Sequence, residues 1–246
     1  VGLGVEVQLE RRVEGRQQAY YDSGNPLLIK LMGAKIHFYP EGEDEAGADD
    51  AMEARAEALR LEGRKPYVIP LSGSHTPYGS LGYVKAAEEL MQQFEQQNLE
   101  ISGIALASGS ATTHAGLLTG MKALGSDIPV FGLCIRRDQD AQRVRVLEKS
   151  LKVAEMIEHA GVVSDSDVLL DDGMLRPGYG QLNDDCLEAM KLAAFHEGIL
   201  LDPTYTGKSM AGLIDMIRKG RFTKEQNVVF LHTGGTPALF GYPELV

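Results

Sequence analysis

Two hydrophobic patterns alternate along most of the chain. Segments that are wholly apolar, or apolar at every second position, indicate β-strands, and segments with an apolar residue every three or four positions indicate α-helices. Most of these helices end at a glycine, which is typical of a helix C-terminus. The predicted strands are 4–9, 34–40, 66–71, 101–108, 128–135 and 227–235. The predicted helices are 25–33, 50–62, 82–98, 112–125, 140–161, 183–198 and 207–220.

This alternation predicts the fold class. Strands that alternate with helices of this length form βαβ units and a mostly parallel sheet. Strand segments such as "IALA" and "VVFL" contain only apolar residues, which favours a sheet covered by helices on both faces. Turn-forming residues cluster in 72–79, "SGSHTPYG", and indicate a domain boundary there. The acidic stretch before residue 50 is predicted to be a solvated loop.

Composition excludes several function classes. The formal net charge of -11 argues against a nucleic-acid partner, because phosphate contacts need a basic face. No apolar run is long enough to span a bilayer, and no signal peptide is recognisable. Cys134 and Cys186 lack metal-ligand spacing, and Cys134 lies in an apolar run, so a reducing cytoplasm is the simpler compartment. The chain opens inside a strand pattern without a methionine, so we expect it to be a piece of a longer product.

The stretch "ALASGSATTHAG", residues 105–116, combines a buried strand with a turn of small and hydroxyl residues. A helix that begins at the carboxyl end of a strand offers free N–H groups and a positive dipole end to an anion. Residues 108–113 therefore predict a phosphate site, although no GK[ST] or GxGxxG string is present. The alternative is an ordinary strand-to-helix turn with a hydroxyl cap.

Three further turns carry candidate chemistry. Gly234 and Gly235 follow the last strand and allow a flat group to approach the backbone, or they form a plain turn. Tyr205 and Thr206 precede a helix, where Thr206 is a candidate N-cap and Tyr205 is a candidate site residue or a packing residue. Tyr179, between two glycines, is either a presented aromatic or a surface residue. His114 and His232 lack metal-ligand spacing, so no metal site is predicted.

Four stretches share their order and spacing with one family: "SGSHTPYGSLGYVKAAEEL", "ASGSATTHAGLLTGM", "EGILLDPTYTGKSMAGLID" and "VVFLHTGGTPALFGY". The chain resembles the D-cysteine desulfhydrase and 1-aminocyclopropane-1-carboxylate deaminase family over essentially its whole length. The resemblance implies an α/β enzyme of the tryptophan-synthase β-like fold, fold type II, with two domains of mostly parallel sheets and flanking helices. It also implies pyridoxal 5'-phosphate as cofactor, a small amino acid as substrate and a homodimer. On this basis, residues 1–77 are the remainder of a smaller domain, and 78–246 form the larger cofactor-binding domain.

The resemblance also implies roles for residues of this chain. Thr206 would hydrogen-bond the pyridine nitrogen of the cofactor, and Tyr205 and Tyr179 would stand beside the ring and the substrate. Gly234 and Gly235 would lie behind the ring. The cofactor phosphate would be held by Gly109, Ser110, Ala111, Thr112 and Thr113.

The substrate is indicated by the residue at 206. The cyclopropane-acid deaminases resemble "DPVYEGK", with a glutamate there, whereas this chain has "DPTYTGK". This favours α,β-elimination on D-cysteine, giving pyruvate, ammonia and sulfide. A deaminase acting on the cyclopropane acid, an L-cysteate sulfo-lyase and a non-catalytic phosphate-binding fragment are the alternatives.

The sequence differs from the family pattern in its N-terminal part. The family's Schiff-base lysine lies in "GGNK" and is followed by "QSNH", and neither string occurs in these 246 residues. Lys208 lies near the cofactor motifs and is not expected to replace that lysine. We therefore expect the 246 residues by themselves to be inactive and the lysine to belong to a longer parent.

Overall fold

The computed structural model describes residues 2–70 and 75–245. By their contacts the residues form two compact units, Val1–His75 with Pro237–Val246, and Thr76–Thr236. This division differs from the predicted domains in grouping the last ten residues with the first unit. The assignment of 1–77 and 78–246 as functional domains stays a prediction.

The described residues of the first unit include a small parallel sheet and three α-helices. Its elements in chain order are β1 (Glu6–Glu10), α1 (Gln18–Asp22), α2 (Asn25–Leu31), β2 (Lys35–Tyr39) and α3 (Glu45–Leu61). The strands β1 and β2 are parallel, with Glu6 opposite Lys35. The C-terminal residues belong to this unit through contacts such as the 2.5 Å bond from Ser23 Oγ to the Phe240 carbonyl.

Two predictions in the first unit were wrong. The stretch before residue 50 is helical from Glu45, because the Asp44 carboxylate accepts a bond from the Gly47 amide and caps the helix. Residues 66–70 form no strand, since this segment has no pairing partner among the described residues, and Tyr67 and Ile69 are exposed. Residue 71, the end of that predicted strand, lies outside the described residues.

The second unit has a four-stranded parallel sheet in the order β5-β4-β3-β6. The predicted elements of this unit are confirmed with shifted ends, the last strand ending at Phe230 and not at Gly235, and the short strand β5 was not predicted. Its elements are α4 (Leu81–Gln96), β3 (Ile101–Ser108), α5 (Thr112–Ala123), β4 (Val130–Cys134), α6 (Gln139–Met156), β5 (Leu169–Asp171), α7 (Asp184–Glu197), α8 (Thr206–Arg218) and β6 (Asn227–Phe230).

Both faces of this sheet are buried, as the apolar strands predicted. Successive residues of β3 enter different cores because side chains alternate across a strand. Leu106 packs with Leu117 and Met121 of α5 on one face. Ala105 packs with Leu213 of α8 and neighbouring aromatic residues on the other. None of the described helices combines the length and hydrophobicity needed to cross a membrane.

Candidate active site

The candidate site residues of the second unit leave from one edge of its sheet. β3 ends at Ser108 and β6 ends at Phe230, and the two strands are adjacent and parallel. Their carboxyl ends therefore lie side by side. Residues 109–113 follow one strand and 231–235 follow the other, which is the edge where parallel sheets bind ligands.

The turn after β3 has the backbone shape of an anion site. Ala111 has a left-handed conformation, with φ of 69°, immediately before α5 begins at Thr112. Such a conformation is uncommon outside glycine, and it turns successive amides toward a common concave side. A side chain at Gly109 would collide with Ile135, at 2.7 Å from an ideal Cβ to the Ile135 Cδ1 atom. The turn is therefore built for small residues.

Helix α6 and the residues before it fix the orientation of this turn. Arg137 Nη1 and Gln142 Nε2 each donate to the Gly109 carbonyl at 3.2 Å, and Arg145 Nε donates to the Ser110 carbonyl at 3.3 Å. In a trans peptide the C=O of one residue and the N–H of the next point in opposite directions. The amides of Ser110 and Ala111 therefore point away from α6.

A buried cation reinforces the start of α5. Lys149, which is 4% exposed, donates from Nζ to Thr112 Oγ1 at 3.1 Å. Its positive charge adds to the partial charge of the free N–H groups in the first turn of the helix. The electrostatics here favour an anion, and the small side chains leave the backbone accessible to one.

A buried histidine lies under the turn. His114 Nδ1 is 3.1 Å from Ser108 Oγ, which accepts a 2.9 Å bond from Gln142 Nε2. Burial lowers the pKa of His114 to about 4, and a hydrogen bond with the Val130 backbone acts weakly in the other direction. The imidazole is therefore neutral at pH 7, and His114 is a hydrogen-bonded residue of the core.

We expect this histidine to make stability pH-dependent. The pKa of His114 is lower in the folded chain than its ordinary value of 6.5, so the unfolded chain binds more protons between pH 6.5 and 4. The stabilisation is complete above pH 6.5 and is lost as the pH falls to 4, by up to about 3 kcal/mol. Urea unfolding of the wild type and His114→Gln at pH 7, 5.5 and 4 measures this. The variant should lose less stability across that range, and parallel curves would contradict the assignment.

Sequence reasoning missed the residue that organises the turn before α8. Asp202 is wholly buried, and its carboxylate accepts bonds from the amides of Thr204 at 2.9 Å and of Tyr205 and Thr206 at 2.8 Å. The Thr206 hydroxyl donates to Asp202 Oδ1 at 2.7 Å and accepts from the Asp202 amide at 2.8 Å. The predicted N-cap role of Thr206 was wrong: Thr206 is the first residue of α8, and Asp202 satisfies the free amides.

The two tyrosines that the sequence singled out meet in space. Tyr179 Oη and Tyr205 Oη are hydrogen-bonded to each other, and their rings pack edge to face with centroids 5.9 Å apart. Tyr205 is 39% exposed and Tyr179 is partly buried. The pair therefore presents polar hydroxyls at the surface of the unit, beside the buried Asp202 turn.

Of the two glycines after β6, Gly235 lies against the same turn. Gly234 and Gly235 have φ of 98° and 96°, a conformation that favours glycine. An ideal Cβ at Gly235 would be 2.6 Å from Asp202 Oδ1. His232 Nε2 lies 3.1 Å from the Leu200 carbonyl, at an exposed position. The segment 231–235 and the turn at 202–206 thus form one continuous surface.

Comparison with known proteins decides the family. The chain matches the model for "Pyridoxal-phosphate dependent enzyme" over residues 2–234. The chain belongs to this family. It is 41% identical over 242 residues to a D-cysteine desulfhydrase of Klebsiella pneumoniae subsp. pneumoniae, an alignment that covers 98% of this chain and 71% of that protein.

Solved structures agree with this assignment. The crystal structure of an ACC deaminase homologue is 33% identical and superposes with a TM-score of 0.83, covering all of this chain and 71% of the other. O-ureido-L-serine synthase, at 12% identity, has a TM-score of 0.56 over 92% of this chain and 63% of the other, and supports the fold alone. The expected fold, type II of the pyridoxal-phosphate enzymes, is confirmed.

The residues of this pyridoxal-phosphate enzyme fit part of its cofactor well. The turn 109–113 has outward amides, small side chains and a buried cation, as a phosphate group requires. Thr206 is wholly buried and donates its only hydroxyl hydrogen to Asp202 Oδ1, so a bond to an unprotonated pyridine nitrogen would require that hydrogen to turn from Asp202 to the ring. The described residues contain no cluster of three or more His, Cys, Asp or Glu able to hold a metal ion.

Both cysteines are buried and free. Burial raises the pKa of Cys134 and of Cys186 to about 12. Neither thiol is therefore a thiolate at neutral pH, and neither has the low pKa of a nucleophilic cysteine.

Proposed function

We propose that the protein to which these 246 residues belong is a pyridoxal-phosphate-dependent lyase that, with the family's Schiff-base lysine, converts D-cysteine and water to pyruvate, ammonia and sulfide. The observation that carries the proposal is the hydrogen-bonded pair of Tyr179 and Tyr205 at the edge of the sheet that also carries the anion-binding turn. The 41% identity to a D-cysteine desulfhydrase gives the substrate class.

In this proposal, binding depends on three segments. Gly109, Ser110, Ala111, Thr112 and Thr113 hold the phosphate with backbone amides and hydroxyls. Gly234 and Gly235 leave room for the ring, and Thr206 bonds the ring nitrogen. Bound pyridoxal phosphate supplies an electron sink for the carbanion at the substrate Cα.

The tyrosine pair would move a proton. One hydroxyl of Tyr179 and Tyr205 donates to the other, so a proton given up by the outer hydroxyl can be replaced from the inner one. We propose that the exposed Tyr205 protonates the departing sulfur while Tyr179 holds its hydroxyl in place. A neutral phenol has a proton to give, and it would protonate the sulfur as the C–S bond breaks and negative charge develops there.

Substrate choice rests on Thr206. A carboxylate at this position would hold the ring nitrogen protonated and strengthen the electron sink, whereas a hydroxyl does not. Sulfide is a good leaving group and needs the weaker sink, which favours D-cysteine over the cyclopropane acid. A cyclopropane-acid deaminase and an L-cysteate sulfo-lyase are the alternatives within this fold.

The test is product formation from four substrates by the protein that carries these residues together with the family's lysine, with pyridoxal phosphate present. We expect sulfide and pyruvate from D-cysteine, at least tenfold faster than from L-cysteine, and no reaction with 1-aminocyclopropane-1-carboxylate. 2-Oxobutanoate from the cyclopropane acid, or sulfite from L-cysteate, would instead establish one of the alternatives.

A non-catalytic binding role is the remaining alternative. It predicts reversible binding of pyridoxal phosphate, no increase in intact mass after borohydride reduction, and no turnover of any of the four substrates. A mass increment of one pyridoxal phosphate, together with sulfide release, would exclude it.

We further propose a homodimer in a reducing cytoplasm. The resemblance to the desulfhydrases supports the dimer, and two free, buried cysteines are consistent with a reducing compartment. Sedimentation equilibrium measures the first point, and a mass of one chain at micromolar concentration would contradict it.

A further inference from the structure

One buried lysine is not used by the proposed reaction. Lys208 is among the largest wholly buried side chains of the described residues, on α8 two residues after Thr206. Its Nζ donates to the Leu175 carbonyl at 2.9 Å and to the Gly178 carbonyl at 2.6 Å. Burying an amine costs free energy unless it is hydrogen-bonded. Because the bonds of Lys208 go to carbonyls of one loop, we expect the reason for its burial to lie in that loop.

The loop in question carries Tyr179. Asn183 Nδ2 donates to the Met174 carbonyl at 3.2 Å and to the Arg176 carbonyl at 2.6 Å, while its Oδ1 caps α7. Asn183 and Lys208 together donate to four backbone carbonyls, those of residues 174, 175, 176 and 178. The segment that leads to Tyr179 is therefore held by side-chain hydrogen bonds.

Helix α8 connects this loop to the other tyrosine. Tyr205 precedes the helix and Lys208 lies three residues later, which is nearly one turn, so the two side chains leave from the same end of one rigid element. One end of α8 therefore fixes Tyr205 through the backbone and the Tyr179 loop through the lysine. The contact between the two hydroxyls depends on both attachments.

We propose that Lys208 is a positioning residue, whose amine holds the 174–178 loop against α8 so that the Tyr179 hydroxyl meets Tyr205. The role of the tyrosine pair in this proposal rests on the proposed function. The two hydrogen bonds by which Lys208 holds the 174–178 loop, called the clamp below, do not depend on that function. The competing interpretation is a lysine that carries the cofactor covalently. Two donors of the amine are already engaged with carbonyls, which leaves it poorly suited to that chemistry.

Hydrogen exchange tests the clamp without any turnover. Lys208→Met removes the amine and keeps much of the side-chain volume, and Lys224→Met, at an exposed position, is the matched control. We expect the amides of residues 172–181 to exchange at least tenfold faster in Lys208→Met, with α4 unchanged in both variants. Exchange in the loop within twofold of the control would overturn the proposal.

A measurement on the wild type covers the case in which Lys208→Met does not fold. Under reductive methylation, Lys208 should react at least a hundredfold more slowly than Lys224, and its labelling should follow the opening rate of residues 172–181. Equal labelling rates would overturn the clamp. So would mapping a borohydride-fixed pyridoxal phosphate to Lys208.

Measurements of kcat and KM then distinguish a positioning role of Lys208 from a purely structural one. In the holoenzyme we expect Lys208→Met to lower kcat about tenfold with KM changed less than twofold. Tyr179→Phe should cost much less in the Lys208→Met background than in the wild type, because the tyrosine is already displaced. Additive effects of the two changes would overturn the coupling. If no variant and no wild-type sample turns over D-cysteine while the exchange result holds, the clamp stands and the proposed function falls.

Discussion

Asp202→Ala is expected to lower the free energy of unfolding by about 4 kcal/mol. The carboxylate accepts bonds from three backbone amides and the Thr206 hydroxyl in a wholly buried turn. Alanine would leave these donors unsatisfied, and each buried donor without a partner costs about 1–3 kcal/mol before relaxation. Urea unfolding at pH 7 measures the change.

Two variants sharpen this test. Asp202→Asn keeps one oxygen acceptor and should cost about half as much, because its amide nitrogen then faces a backbone donor. Asp127→Ala removes a fully exposed carboxylate and should change the free energy of unfolding by about 0.5 kcal/mol or less. A cost for Asp202→Ala as small as that of the control would mean that the amides find other partners.

Tyr205→Phe is expected to lower kcat for sulfide release from D-cysteine on the order of 100-fold. The change removes the exposed hydroxyl of the pair and leaves the ring contact with Tyr179 in place. Proton transfer by a positioned side chain contributes about 10²–10⁴-fold to a rate. Because the ring is partly exposed, the free energy of unfolding should change by less than about 1 kcal/mol.

The paired variant decides whether the two hydroxyls act together. Tyr179→Phe alone should lower kcat less than Tyr205→Phe, and the double variant should be little worse than Tyr205→Phe. Tyr83→Phe, in the packing of α4, serves as a control with no expected effect on kcat. Full kcat in the double variant would remove the tyrosines from the proposed mechanism.

Much of the fold follows from local sequence patterns. The strands β3, β4 and β6 are apolar runs of the right length, and α4, α7 and α8 end where glycine or a polar turn follows. These signals are short-ranged, since periodicity and capping act over a few residues. The same holds for the anion-binding turn, whose small residues lie consecutively between β3 and α5.

Features that depend on distant partners were not predictable in this way. Residues 66–70 have strand-like composition but form no strand, because a strand needs a neighbour to receive its hydrogen bonds. The contacts of Asp202 are local. Its carboxylate accepts hydrogen bonds from the amides two, three and four residues later, as in an Asx-type turn, and aspartate is a residue type that favours such turns.

The sequence by itself determined the alternating α/β architecture, the family and the positions of Tyr179, Tyr205 and the turn at 109–113. Only the tertiary structure decided that the two tyrosines share a hydrogen bond, that Asp202 rather than Thr206 satisfies the start of α8, and that Lys208 is buried against the Tyr179 loop. For the tyrosine and lysine contacts, the physical reason is that they join residues that are brought together by packing and not by spacing along the chain, whereas the Asp202 contacts are local. A lysine on an amphipathic helix is ordinarily exposed, and its burial depends on carbonyls supplied by another segment.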